Sequence, residues 1–404
     1  MRQCLLALLV LVFVAPAPRA ADIIHDAEYY VVAAQKGEQW AADDKAIDDR
    51  MAEIREANGG KRPNIVYILL DDIGYGEIGT PGLTPSRGYS TPNIDALARQ
   101  GLTFGRMYTE PSCTPTRVAF MTGRLPVRTG TTEAKATMSG DGLAADEVTL
   151  AEILRDAGYY TSHVGKWHMG DIQQAYASEQ GFVYAEFPIH QQGQLAIMHG
   201  DAASADVIRG SDPSRQLQTY TIDEVFVVNP SHMVTGVEVR DGKLYEVDLE
   251  AGEEWTQQKY REMNERYQRN ALAQLRALAK QDKPFFLNYW PLFPLTFVPD
   301  DIEKPRTLNG GTVAESIVEV DGWIGEIVAE IDRLGIADNT IVVVMGDNGP
   351  FMQYAAIGGM SDRVYRGGKA ETLEGGIRVN AYLRWPAAIE PGSYVQDIVH
   401  VSDL

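Results

Sequence analysis

Residues 64–70 (NIVYILL) form an unbroken apolar, β-branched run that stops abruptly at Asp71-Asp72. Such a run marks a strand buried on both faces. Residues 159–165, 284–290 and 341–345 read the same way, the last run stopping at Gly346-Asp347. Between these runs the apolar spacing becomes helical. It predicts helices over 92–100, 115–122, 149–157 with Gly158 as the stop, 254–279 and 315–334. Strands alternating with helices of this length predict an α/β fold, a largely parallel central sheet sandwiched by helices. Residues 22–61 are polar and alanine-rich with helical spacing, ending at Gly59-Gly60, and predict a helical N-terminal extension to a main domain over 62–404. Residues 180–255 hold no steady period and read as a long insertion over that domain.

Composition narrows the partners. Asp plus Glu number 56 against 36 Lys plus Arg, a formal net charge of −20. So acidic a surface repels phosphate backbones and anionic lipid, which argues against nucleic acid. An anionic substrate would have to be attracted locally, by a metal or a few basic groups. At the N-terminus, Arg2 precedes an apolar run over 5–14 and small residues around 15–21. This reads as a secretory signal over 1–21, too short to span a bilayer, and predicts a secreted or periplasmic protein. No later segment reads as a membrane span. Cys4 would leave with the signal, so Cys113 would be the lone thiol of the mature chain, unable to form an internal disulfide. In an oxidising compartment such a thiol is buried, paired between chains, or used.

Two predicted strands end in oxygen donors, Asp71-Asp72 and Asp347-Asn348. Ligands of parallel α/β sheets gather beyond the carboxyl ends of the strands. Either pair alone is readily a turn or a helix cap. Together they form an all-oxygen set suited to calcium or magnesium rather than zinc.

Cys113 lies in Pro111-Ser112-Cys113-Thr114-Pro115-Thr116-Arg117, followed by Thr122-Gly123-Arg124. C-x-P-x-R with a following T-G-R resembles the signature of the type I sulfatases of the alkaline phosphatase superfamily, in which that Cys is oxidised to formylglycine. Gly165-Lys166-Trp167-His168-Met169-Gly170, Thr91-Pro92-Asn93-Ile94-Asp95, Gly346-Asp347-Asn348-Gly349 and the segment from Lys369 to Val379 resemble further family motifs. The resemblance implies hydrolysis of sulfate esters to alcohol and sulfate. The formylglycine hydrate would attack sulfur with one hydroxyl and release sulfate with the other, a release that serine could not achieve. One calcium ion would be held by Asp71, Asp72, Asp347, Asn348 and the residue at 113. Arg117 would hold the formylglycine hydroxyl, Lys166 and Lys369 would bind sulfate oxygens, and His168 would assist elimination. Maturation would need a formylglycine-generating enzyme, and the partner would be a small aryl or carbohydrate sulfate.

One position departs from the family pattern. Leu292, in Trp290-Pro291-Leu292-Phe293-Pro294, stands where a His would protonate the leaving oxygen. General acid help is worth about 10²–10⁴-fold. Either the substrate has a good leaving group or another residue serves, His190 being the first candidate and His199 the second. The departure also keeps open hydrolysis of phosphonate monoesters or phosphodiesters. A non-catalytic carbohydrate-binding relative is a third reading, against which the intact Cys113, Arg117, acidic pairs and lysines speak. The chain ends at Asp403-Leu404 without a helix stop, as expected of a truncated chain lacking the family's smaller C-terminal subdomain. Such a chain is expected to be poorly soluble or weakly active.

Overall fold

The computed structural model describes residues 27–134, 140–189, 237–240, 242–246, 257–292, 307–308, 311–350 and 364–404. The expected signal over 1–21, His190 and His199 lie outside the described residues. The chain divides into two units, 1–59 and 60–404. The described part of the first is dominated by a single helix, α1 (Ala27–Ala57).

The second unit is built on a ten-stranded sheet. Its strands in chain order are β1 (Asn64–Leu70), β2 (Leu102–Tyr108), β3 (Tyr160–Gly165), β4 (Tyr184–Phe187), β5 (Val237–Arg240), β6 (Lys243–Glu246), β7 (Phe285–Trp290), β8 (Thr340–Gly346), β9 (Arg378–Arg384) and β10 (Ser393–His400). Their spatial order is β10-β2-β9-β8-β1-β7-β3-β4-β5-β6. The five central strands from β8 to β4 run parallel, as the alternating pattern predicts. Towards the margins β9 pairs antiparallel with both β8 and β2, and β5 and β6 add antiparallel strands beyond β4.

Alternation along β1 shows why that strand is apolar throughout. Val66, Ile68 and Leu70 enter one core with Tyr267 and Leu275 of α5 (Gln257–Leu278) and Ile324 and Ile327 of α6 (Thr312–Arg333). Tyr67 and Leu69 enter the other, with Val118 and Phe120 of α3 (Cys113–Thr122) and Ala151 of α4 (Leu150–Asp156). Ile94 and Leu97 of α2 (Pro92–Gln100) join the first core. Helices therefore cover both faces. The Tyr67 and Phe120 rings stack at 3.8 Å and 7°, fixing α3 across β1. Thr149 and Glu152 form a capping box that starts α4.

Two local expectations shift. Helix α3 opens at Cys113 rather than at Pro115, because Ser112 is extended and acts as the N-cap. Pro115 then occupies the first turn, where a missing N–H costs nothing. Within the stretch read as an insertion, β4 is a wholly buried member of the sheet. Glu186 gives this short strand a polar look, but its carboxylate is paired with Arg266 at 2.9 Å and Asn270 at 2.7 Å.

Candidate active site

Parallel strands whose ends lie level deliver much of the site to one edge of the sheet. Leu70 pairs with Gly346, so Asp71-Asp72 and Asp347-Asn348 leave β1 and β8 side by side. The Asp72 amide donates to Asp347 Oδ1 at 2.9 Å, and the Asp347 amide donates to the Leu70 carbonyl at 2.9 Å. Gly165 pairs with Trp290, and beyond Gly165 come Lys166 and His168. Among the described residues, four non-glycine residues have positive φ: Asp72, Thr80, His168 and Ala370. Asp72 and His168 are expected site residues and Ala370 follows another, so backbone strain gathers around the site.

Cys113 opens α3, whose first amides lack intrahelical partners and favour an anion. Its Sγ lies 3.8 Å from Asp72 Oδ1 and 2.9 Å from Lys369 Nζ. Lys369 Nζ is also 2.7 Å from Asp72 Oδ1. Arg117, one turn along α3, points its guanidinium to Asp347 Oδ2 at 2.8 Å, Asp71 Oδ1 at 3.4 Å and the Lys166 carbonyl at 3.3 Å. Lys166 Nζ is paired with Asp71 Oδ1. Asn348 Nδ2 donates to Asp72 Oδ1 at 2.7 Å. Asp71, Asp72, Cys113, Arg117, Lys166, Asp347 and Asn348 are all fully buried, and His168 nearly so. The structure thus brings together acids from two strand ends, the cysteine and three cations far apart in sequence.

Among the described residues, Asp71 Oδ2 and Asn348 Oδ1 are buried without a hydrogen-bond partner. Donor atoms of Asp71, Asp72 and Cys113 lie within 4.8 Å of one another. Buried unmatched oxygens are costly, and a hard cation would satisfy them. The residues present therefore fit a divalent ion bound largely through oxygen. Protonation tells the same story. Burial pushes Asp347 up to about 7, helped by the Asp71 charge and opposed by Arg117. Burial also raises Asp72 against the pull of Lys369. At Asp71 burial acts upward too, but Lys166, Lys369 and Arg117 outweigh it and hold the carboxyl below the usual range. A cation here would favour the ionised form of all three. Burial pushes the Cys113 thiol up to about 11, although Lys166 and Lys369 act to lower it. An unmodified thiol so placed is a poor nucleophile at neutral pH.

The family model for sulfatases matches residues 63–404. The chain belongs to the sulfatase family. Its α/β fold is that of the alkaline phosphatase superfamily. The chain is 30% identical over 389 residues to steryl-sulfatase of Rattus norvegicus, an alignment covering 84% of this chain and 65% of that protein. It is 32% identical over 338 residues to arylsulfatase A of Homo sapiens, covering 82% of this chain and 60% of that protein. Among solved structures, the PsFucS1 sulfatase from Pseudoalteromonas sp. matches with a TM-score of 0.74 at 27% identity, covering 89% of this chain and 69% of the other. The chain spans 60–65% of the length of these two curated relatives.

Two placements were not legible beforehand. Arg117 is engaged with two carboxylates and a carbonyl rather than reserved for the residue at 113. Trp290 lies beneath it, its ring centroid 4.7 Å from the guanidinium carbon. An apolar strand end such as Tyr289-Trp290 carries no signal of which side chain meets an active-site cation. Leu292, where the family pattern has a His, is fully buried in the core with α5 and α6. Its amide donates to Asn264 Oδ1 at 3.1 Å, and its aliphatic side chain carries no proton to donate.

Proposed function

We propose that the protein hydrolyses sulfate esters to alcohol and inorganic sulfate, with Cys113, oxidised to formylglycine, as the nucleophile residue. The observation behind this reading is the convergence of Asp72 and Lys369 on the buried Cys113 at a helix start. A calcium ion held by Asp71, Asp72, Asp347, Asn348 and the residue at 113 would supply Lewis acidity toward a sulfate oxygen. The formylglycine hydrate supplies two hydroxyls, one for attack on sulfur and one for release of sulfate.

The remaining roles belong to the chain itself. Lys369, already touching the atom at 113, holds that position and offers positive charge to a sulfate oxygen. Lys166 compensates Asp71 and presents a second ammonium to the same space. Arg117 fixes Asp347 and Asp71 and so sets the shape of the oxygen cluster. His168 would assist release of sulfate from the hydrate. With Leu292 packed in the core, proton delivery to the leaving oxygen falls to another group, His190 first and His199 second, or is dispensed with for acidic alcohols.

The substrate is a small aryl or carbohydrate sulfate, and a formylglycine-generating enzyme is the partner in maturation. The apolar run over 5–14 supports export to the periplasm or beyond. The test is sulfate release from 4-nitrophenyl sulfate by protein co-produced with that enzyme, with calcium present and Cys113→Ala alongside. Turnover lost in the variant is expected. An aldehyde at 113 without sulfate release, but with cleavage of a phosphonate monoester, would replace this reading with the phosphonate one.

A further inference from the structure

We propose that Trp290 is a positioning residue: its indole face sets the Arg117 guanidinium while its backbone carbonyl sets Lys166. One strand-end residue thereby aligns two of the three cations around Cys113. The catalytic consequence rests on the function proposed above; the geometric one does not.

Arg117 is fully buried, yet among the described residues its Nε has no hydrogen-bond partner. Only its terminal nitrogens are bonded, and one of the two bonds to carboxylate is long at 3.4 Å. Those contacts engage the outer end of the guanidinium and leave its face to be covered by a neighbouring side chain. The Trp290 ring, 4.7 Å away, supplies the missing surface. A guanidinium over an indole face is attracted by the ring quadrupole, most strongly where water is excluded. The indole is itself braced. Trp167 stacks on it at 6.1 Å and 16°, His163 meets it edge-on at 5.2 Å and 88°, and Phe120 packs at 6.2 Å. Buried Trp N–H groups usually find a partner. Among the described residues Trp290 Nε1 has none, so no hydrogen bond of its own to them explains where the ring sits.

The second half of the device is backbone. The Lys166 amide donates to the Trp290 carbonyl at 2.7 Å, and the Lys166 carbonyl accepts from Arg117 at 3.3 Å. Trp290, Lys166 and Arg117 therefore close a ring of contacts. Moving the indole disturbs the guanidinium directly, and moving the strand end shifts the ammonium-bearing residue with it.

The experiment uses the full chain matured to formylglycine. Mono-, di- and trifluorinated tryptophans placed at 290 alone keep the shape of the ring and drain its face of charge. Trp290→Leu and Trp290→Phe remove and partly restore the face. The expected result is a stepwise fall in kcat along the fluorinated series with KM within about twofold, since Arg117 orders the cluster and does not bind the alcohol. Trp290→Leu is expected to lose on the order of 10²-fold in kcat, as for a catalytic group misplaced by about 1 Å, with Phe recovering part of it. Independently of activity, the Arg117 Nε–H resonance, assigned by its loss in Arg117→Lys, is expected upfield of the other arginines and to return among them in Trp290→Leu. Flat kcat across the fluorinated series, or an Arg117 resonance among the others in the parent protein, would overturn the inference. Should Trp290→Leu fail to fold, the fluorinated series decides. Absence of sulfate release from the parent protein would sink the proposed function and leave the resonance to decide the positioning.

Discussion

Replacing Gly165 by Ala tests the geometry of the site without touching any proposed catalytic group. Gly165 ends β3 with φ at +106°, and an added Cβ would sit 2.1 Å from the Trp290 carbonyl oxygen and 2.7 Å from its carbon. Comfortable carbon contacts lie near ~3.5–4.0 Å, so the end of β7 must retreat by on the order of 1 Å. The unfavourable φ costs about 1–3 kcal/mol. Overpacking adds about 1–3 kcal/mol, for a total of about 2–6 kcal/mol. Gly158 provides the control: its φ is +92°, but a Cβ there meets nothing within 4 Å. Gly158→Ala should therefore show the strain cost alone. Because the Lys166 amide is bonded to that same carbonyl at 2.7 Å, the retreat in Gly165→Ala also displaces Lys166. A displacement of about 1 Å predicts a loss on the order of 10²-fold in kcat. The assay is chemical denaturation of both variants together with steady-state sulfate release. Equal stability losses and equal kcat in the two variants would refute the reasoning, because they would mean that the close approach of β3 to β7 does not constrain the site.

If Asp71 and Asn348 hold the proposed calcium ion, chelation should lower Tm, because their buried oxygens would lose it; at free calcium about a hundredfold above Kd, binding would add about 2.7 kcal/mol. Identical melting in chelator and in calcium would count against the metal site. His163 is fully buried, and burial pushes its pKa down from 6.5 to about 3 despite a hydrogen bond to the Gly165 carbonyl. Between those values the unfolded chain binds the extra proton, so stability is full above 6.5 and falls as pH drops, by at most about 1.4 kcal/mol per pH unit. Urea titrations of the parent and His163→Gln across pH 7 to 4 should show a shallower slope in the variant; parallel slopes would remove His163 as a source of acid sensitivity. Thr149→Ala breaks the capping box of α4 and should cost about 1 kcal/mol in denaturation with kcat unchanged, and a matching loss of activity would show that α4 bears on the site.

The legible parts of this protein are those written in contiguous residues. Strand β1 and strand β8 are apolar along their length because each sends alternate side chains into two cores, so a buried parallel strand announces itself without its neighbours. The acidic pairs are visible because they interrupt those runs abruptly, and Cys113 with Arg117 because four residues span one helical turn. Strands β2, β4, β5, β6, β9 and β10 were not legible. Strand β10 leaves Tyr394 and Ile398 exposed, and β4 hides a carboxylate that only Arg266 and Asn270 make tolerable. Which charges meet was decided by tertiary structure alone. Lys369 reaches Cys113 across 256 residues and Arg117 reaches Asp347 across 230, through the order of strands in the sheet. Local sequence sets which residues end a strand or open a helix, since those preferences depend on nearest neighbours along the chain. The pairing of Arg117 with Trp290 and the burial of Leu292 depend on how β7 lies between β1 and β3, and that contact exists only once the sheet has closed around them.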